Sequence, residues 1–223
     1  MKIGLPIGDD NRKSSSGLAP TTAVRAWRPP QPAAYAYLLG LFLGDGCLIC
    51  RPRASPQLVV TLDARYPRIV DYASEAIRSV VPGINVPRAL RPGCIALLAS
   101  DPVWAVAFPQ GLGRGRKHER RIELEDWQRE LTHDHPTSLL RGLIHSDGCR
   151  SMNRFRTRLP SGRVGEYSYV RYFFTNYSAD IRRIFCEHCD LVGLRWTQSS
   201  FKNISIAHRD SVALLDRFVG PKR

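Results

Sequence analysis

The chain of 223 residues can bury a sizeable core, as one domain or as two small ones, and its 43% hydrophobic content with four Trp, eight Tyr and eight Phe excludes an intrinsically disordered polymer. Its longest apolar run, 35–43, is interrupted by Gly40 and stops at Asp45, short of the roughly 20 residues of a membrane span. The amino terminus lacks a secretory pattern, so a cytoplasmic protein that does not engage a membrane is expected. A formal charge of +13 points to a polyanionic partner, because such a surplus repels itself unless phosphates neutralise it.

In chain order, residues 1–30 are rich in Ser, Pro and charge and show no periodicity, which predicts a flexible basic arm. Residues 31–47 give an apolar helical pattern closed by Asp45-Gly46. A β-rich stretch over 47–62 follows, then a helical pattern over 67–81, strands over 86–90 and 94–99, and a helix opened by Ser100-Asp101-Pro102. Residues 119–133 read as a linker. The order then returns: an apolar helix closed by Asp147-Gly148, strands over 149–159 and 166–175, a helix over 180–191, strands over 195–199 and 203–207, and a helix opened by His208-Arg209-Asp210-Ser211.

The chain is thus written twice. Tyr37-Leu-Leu-Gly-Leu-Phe-Leu-Gly-Asp-Gly-Cys47 aligns without a gap to Leu139-Leu-Arg-Gly-Leu-Ile-His-Ser-Asp-Gly-Cys149, with identity at six of eleven positions. Each half reads αββαββα, which predicts an α+β fold of two repeats, 31–118 and 134–223, related by a pseudo-twofold axis. Gly40 and Gly44 lie four apart on one helical face, and Gly142 and Ser146 repeat that spacing. Small residues so placed let two helix backbones approach, so the repeats are expected to meet helix against helix. Gly46 and Gly148 are expected to supply a left-handed turn that closes each helix.

A carboxylate at a helix carboxy terminus opposes the macrodipole, and two of them would converge at one seam. Divalent metal resolves that conflict: Mg²⁺ (or Mn²⁺) is held by one or two carboxylates plus phosphate oxygens, as phosphodiester cleavage requires. Asp45 and Asp147 are the expected metal-binding catalytic pair.

Six cysteines include Cys47/Cys50 and Cys186/Cys189, two Cys-x-x-Cys pairs. More than 130 residues separate them, the first falls in a strand whose positions three apart face opposite ways, and the second falls in a helix beside Phe185. Reduced, packed cysteines are expected, not structural zinc.

A strand presents every second residue to a groove. Arg150, Arg154, Arg156 and Arg158 share one parity and Phe155 and Leu159 the other, which predicts an arginine row on the DNA face and Phe155 in the core. Arg51, Arg53 and Gln57 are the sparser counterpart in the first half, with Arg171, Arg195 and Gln198 on later strands. Residues 141–223 carry 15 Lys/Arg against 7 Asp/Glu, so the second half is the more basic.

Leu38-Leu-Gly-Leu-Phe-Leu-Gly-Asp-Gly46 and Leu140-Arg-Gly-Leu-Ile-His-Ser-Asp-Gly148 resemble the LAGLIDADG motif of homing endonucleases, in the layout of the single-chain, two-motif, pseudosymmetric members. Over 31–223 the resemblance implies two antiparallel sheets forming a saddle on double-stranded DNA, motif helices at the centre, and a monomer that cuts both strands at an intron- or intein-type target. It implies metal held by Asp45 and Asp147, with Gly44 and Ser146 in the same set, and a basic residue after the last helix of each half: Lys117 and Lys222. Arg141 and His145 depart from the usual motif and imply loosened packing or a local polar contact. A DNA-binding regulator or an RNA-splicing cofactor on the same scaffold is the alternative. A splicing role as an intein is not expected, since the ends carry neither a nucleophile nor a His-Asn.

Overall fold

A computed structural model describes residues 27–113, 115–220 and 222. Most of the expected basic arm, 1–26, lies outside the described residues. Its last part is packed: Trp27 stands edge-on to Tyr35 and Trp127, with ring centroids 6.0 and 5.9 Å apart.

Helix α1 (Pro32–Asp45) begins on a proline, whose missing N–H costs nothing in the first turn, and buries nine consecutive residues from Tyr35 to Leu43. A helix apolar all round belongs at the centre of a core. Strands β1 (Gly46–Ile49) and β2 (Gln57–Asp63) follow, then helix α2 (Pro67–Val80), whose buried Ile69, Val70, Ala73, Ile77 and Val80 form one stripe. Strands β3 (Arg88–Arg91) and β4 (Cys94–Ser100) complete an antiparallel sheet of order β1-β2-β4-β3. The helix expected after Ser100 is a single turn, α3 (Trp104–Ala107), opened by Asp101 Oδ1 accepting from the Val103 amide. Short 3-10 turns follow instead of a longer helix, because Phe108 and Pro109 interrupt it.

The stretch expected to be a linker carries helix α4 (Asp126–Asp134), opened by a reciprocal Glu125/Gln128 cap. The buried Gln128 amide also donates to the Tyr35 hydroxyl at 2.6 Å, tying this helix to α1. The second repeat then runs through α5 (Pro136–Asp147), β5 (Gly148–Arg158), β6 (Val164–Thr175), α6 (Ala179–Leu191), β7 (Thr197–Gln198), β8 (Asn203–Ile206) and α7 (Arg209–Phe218). Its sheet has the order β5-β6-β8-β7, the same as the first. In both sheets the strand after the motif begins opposite β2 or β6 at matched points, Gly46 against Val60 and Gly148 against Phe174. No helix among the described residues is long and apolar enough to cross a membrane.

One face of each sheet is covered by helices. In the first sheet that face carries Leu58, Val60, Leu62, Leu97 and Ala99; in the second it carries Tyr172, Phe174, Ile204 and Ile206, with Phe174 stacked on Phe185 of α6 at 4.3 Å. The opposite faces are open and adjoin the ends of α1 and α5, because β1 and β5 start at the residue after each aspartate. The hairpin of β5 and β6 pairs over eleven positions, against four for β1 and β2, so its distal half extends past the helices.

Candidate metal centre and nucleic-acid interface

Helices α1 and α5 touch where the sequence places glycines. A Cβ on Gly40 would stand 2.7 Å from the Leu143 amide nitrogen and 2.9 Å from Gly142 Cα, and one on Gly142 would stand 3.0 Å from Gly40 Cα. One turn on, a Cβ on Gly44 would be 2.9 Å from Asp147 Oδ2 and would collide with Ser146. The small-residue spacing therefore brings the ends of both helices together and sets each aspartate against the other repeat.

Gly46 and Gly148 do not make the expected left-handed turns. Their φ values are −94° and −102°, extended backbone open to any residue. They are glycine for space, since a Cβ would stand 2.5 Å from Phe42 Cα in one case and 2.7 Å from Ile144 Cα in the other. The chain turns straight from helix into strand against its own preceding turn, and this fixes each aspartate at the sheet's beginning.

Both aspartates are half-buried. Burial, then the neighbouring Asp147 carboxylate, pushes Asp45 up to about 7, and Lys117 and Lys222 pull the other way. Burial also raises Asp147, partly offset by the Asn176 amide, which donates to its Oδ2 at 2.7 Å, and by the same two lysines. Lys117 reaches the end of α1, where its Nζ donates to the carbonyls of Phe42, Leu43, Gly44 and Gly46 at 2.5 to 3.0 Å. It thereby satisfies carbonyls that a helix end leaves without partners. Burial lowers this ammonium to about 8, against the attraction of both aspartates. Lys222 is the counterpart at α5, its Nζ 3.4 Å from the Ser146 carbonyl, and burial lowers it too. The four residues named from sequence as catalytic thus surround one seam.

Asn176 was not found from sequence. It lies two residues beyond the β6 position paired with Gly148, and the equivalent position after Val60 is the buried Leu62, so the repeat comparison gave no signal. A cleft of about 350 Å³ lies on this side, lined by Gly44, Arg116, Lys117, Asp147, Asn176 and Tyr177.

The seam's donors are two carboxylates and the carbonyls of Gly44 and Ser146. Among the described residues no cluster of three or more His, Cys, Asp or Glu could hold a metal. Such an all-oxygen, incomplete set fits a hard divalent cation whose remaining ligands are water and phosphate, and does not fit zinc. The two carbonyls face lysine ammonium groups, so a cation there would share them with, or take them from, Lys117 and Lys222.

His145 makes local polar contacts, whereas Arg141 packs on aromatic rings and its buried Nε has no hydrogen-bond partner. His145 is buried, with its Nδ1 2.9 Å from the Tyr37 hydroxyl and its Nε2 3.2 Å from the Val219 carbonyl, and burial lowers it to about 4. The Arg141 guanidinium lies over the rings of Tyr72 and Tyr37, 4.5 and 5.3 Å from their centres. All six cysteines are free; Cys186 and Cys189 are buried, and the others are not.

The arginine row is on the other face from that expected. Arg150 shares the parity of the buried Tyr172 and Phe174, so it points toward the helices, where it makes a two-pronged contact with Asp216 of α7 at 2.8 and 2.9 Å. Arg154, Arg156 and Arg158 follow on that face beyond the helices' reach; Arg156 pairs with Glu166 at 2.6 Å. Phe155 is on the open face and 43% exposed. Its hydrophobicity suggested a core position, but the hairpin has outgrown the core there. Gln57 and Arg171 do lie on the open faces, and Gln57 donates to Ser100 at 3.2 Å. Arg51 and Arg53 are in the exposed turn before β2, Arg53 with φ +61°. Arg195 is held beside α7 by His208 at 3.0 Å, and Gln198 pairs with Ile204 on the helix side.

No family profile and no curated protein matches the sequence. Solved structures do. Homing endonuclease I-DmoI, in mesophilic variants, is 12% identical with a TM-score of 0.51 over 85% of this chain and 96% of that one. I-DmoI in complex with DNA and Mn is 14% identical with a TM-score of 0.52 over 84% and 97%. Full-length DUF199/WhiA from Thermatoga maritima is 13% identical with a TM-score of 0.50 over 90% of this chain and 60% of that one. The twin motif helices, the repeated sheet order and these likenesses give one conclusion: the chain has the two-repeat LAGLIDADG fold of the homing endonucleases.

Proposed function

We propose that this protein is a site-specific endonuclease that hydrolyses both strands of duplex DNA with divalent metal, Mg²⁺ or Mn²⁺, at Asp45 and Asp147, acting as a monomer. The observation that carries this reading is the seam itself: two desolvated carboxylates from opposite repeats converge at the start of two open sheet faces, in a chain of net charge +13. Neither stability nor binding to phosphate explains keeping them, since each repels its neighbour and would repel DNA. Bound metal would supply charge stabilisation and an activated water. The chain's own parts divide the rest of the work. Asp45 and Asp147 would hold the cation, Asn176 orients Asp147, and Lys117 and Lys222 are in reach of charge building on a phosphate between the helices. The solved I-DmoI complex with DNA and Mn adds support.

One observation favours a second reading, a DNA-binding regulator or RNA-splicing cofactor that does not cut. Lys117 already engages the Gly44 carbonyl and three others, an arrangement complete without metal. A single experiment separates the two. The protein is incubated with a randomised duplex library and Mg²⁺, and cut ends are sequenced; Asp45→Asn and Asp147→Asn should each bind the selected duplex and leave it intact. Binding without cleavage by the parent chain at any divalent metal would favour the second reading, and undiminished cleavage by either variant would remove the aspartates from the site.

A further inference from the structure

The open face of the β5–β6 hairpin is not the polar surface that a water-facing antiparallel sheet usually presents. Phe155 stacks across the strands on Tyr167, with ring centres 5.2 Å apart and planes 15° from parallel, and stands edge-on to Tyr169 at 6.0 Å. Toward the aspartates the strip continues with Arg171, whose guanidinium lies over Tyr169 and Phe173 at 5.4 and 4.7 Å. The Arg171 Nε is buried without a hydrogen-bond partner. Gly165, two residues before Tyr167 on the same face, leaves room for the ring: a Cβ there would stand 3.0 Å from it. Phe155, Tyr167 and Tyr169 are 43%, 43% and 37% exposed. The first sheet has nothing similar, because its short hairpin ends at Ile49 opposite Gln57.

We propose that this strip determines specificity by packing Phe155, Tyr167 and Tyr169 against thymine C5-methyl groups in the major groove of the half-site read by the second repeat. The inference rests on the duplex-DNA reading above. The thymine methyl is the one apolar group that base edges present in that groove, and aromatic side chains are suited to it. Ring packing argues against unpaired bases: a stacking platform needs open ring faces, whereas Phe155 and Tyr167 each cover a face of the other and Tyr169 stands edge-on to Phe155. The excess of cations in this half, with Arg154, Arg156 and Arg158 on the reverse side of the same hairpin, decides against a second copy of the chain. At roughly 3.3 Å per residue, Phe155 lies about 23 Å along β5 from Gly148, or about seven base pairs from the aspartates.

The test uses the full chain and duplexes selected from a random library in chelator, so that no strand is cut. The selected duplex should carry thymine about six to eight base pairs from its centre on one side only. Replacing those thymines by deoxyuridine removes the methyl alone, and affinity should fall about fourfold per methyl. Phe155→Ala, at an exposed position, should discriminate the two duplexes less than the parent does. The uracil comparison on the parent chain needs no variant, so misfolding cannot obscure it. Unchanged affinity for the deoxyuridine duplex, or selected sites without thymine there, would overturn the proposal and leave the duplex-DNA reading standing. Failure to select any duplex, or tighter binding to the single strand, would overturn both.

Discussion

Asp45→Asn should stabilise the metal-free protein at neutral pH and do nothing for it in acid. The Asp45 carboxyl is raised from 3.8 to about 7 in the folded chain, first by burial and then by Asp147. Between those two values the folded state holds a proton that the unfolded state has released, so stability falls as pH rises through this window. Three units correspond to as much as about 4 kcal/mol, and water reaching the rim of the seam brings the expectation nearer 2. Asparagine carries no charge to desolvate. The assay is thermal or urea unfolding of both proteins in chelator at several pH values, with the difference taken at each, so that groups common to both cancel. The difference should be near zero at pH 4, grow through pH 5 to 7, and level off above. Adding Mg²⁺ at pH 7.5 should stabilise the parent more than the variant. A difference independent of pH would refute the account, because the aspartate would then be as well solvated in the fold as out of it.

Gly142→Ala should lose about 1–3 kcal/mol or more by overpacking, since the added methyl meets the Gly40 backbone and neither helix can retreat, and a lowered Tm checks it. Arg150→Ala should cost up to about 1 kcal/mol through the loss of Asp216 and leave the salt dependence of DNA binding unchanged. Arg171→Ala should instead lower the slope of log affinity against log salt by about 0.9 if it meets a phosphate, with little change in Tm. Phe155→Ala should unfold within about 1.5 kcal/mol of the parent in urea, because only its contacts with two exposed tyrosines are lost.

Repetition made most of the architecture legible in the sequence. Two segments alike at six of eleven positions fix two equivalent helices, and the small residues at 40, 44, 142 and 146 fix how they meet, because close backbone approach tolerates no larger side chain. The aspartates followed, since each stands at the same point of its helix; the lysines after each half's last helix were implied only by the resemblance to the LAGLIDADG motif. What the sequence could not carry was direction and reach. Strand alternation separates Arg150, Arg154 and Arg156 from Phe155 but does not say which set faces the helices. That was decided by Phe174 and Tyr172 packing on α6 and α7, and by a hairpin long enough to leave Phe155 with no core beneath it. Gly46 and Gly148 look like turn glycines in a sequence, and only the preceding helical turn shows that they are needed for space. Asn176 and Asp147 are 29 residues apart, and the pairing of β5 with β6 alone brings them to 2.7 Å. Local patterns report what a segment needs to bury, whereas which surface remains to meet a partner depends on contacts between segments distant in the chain.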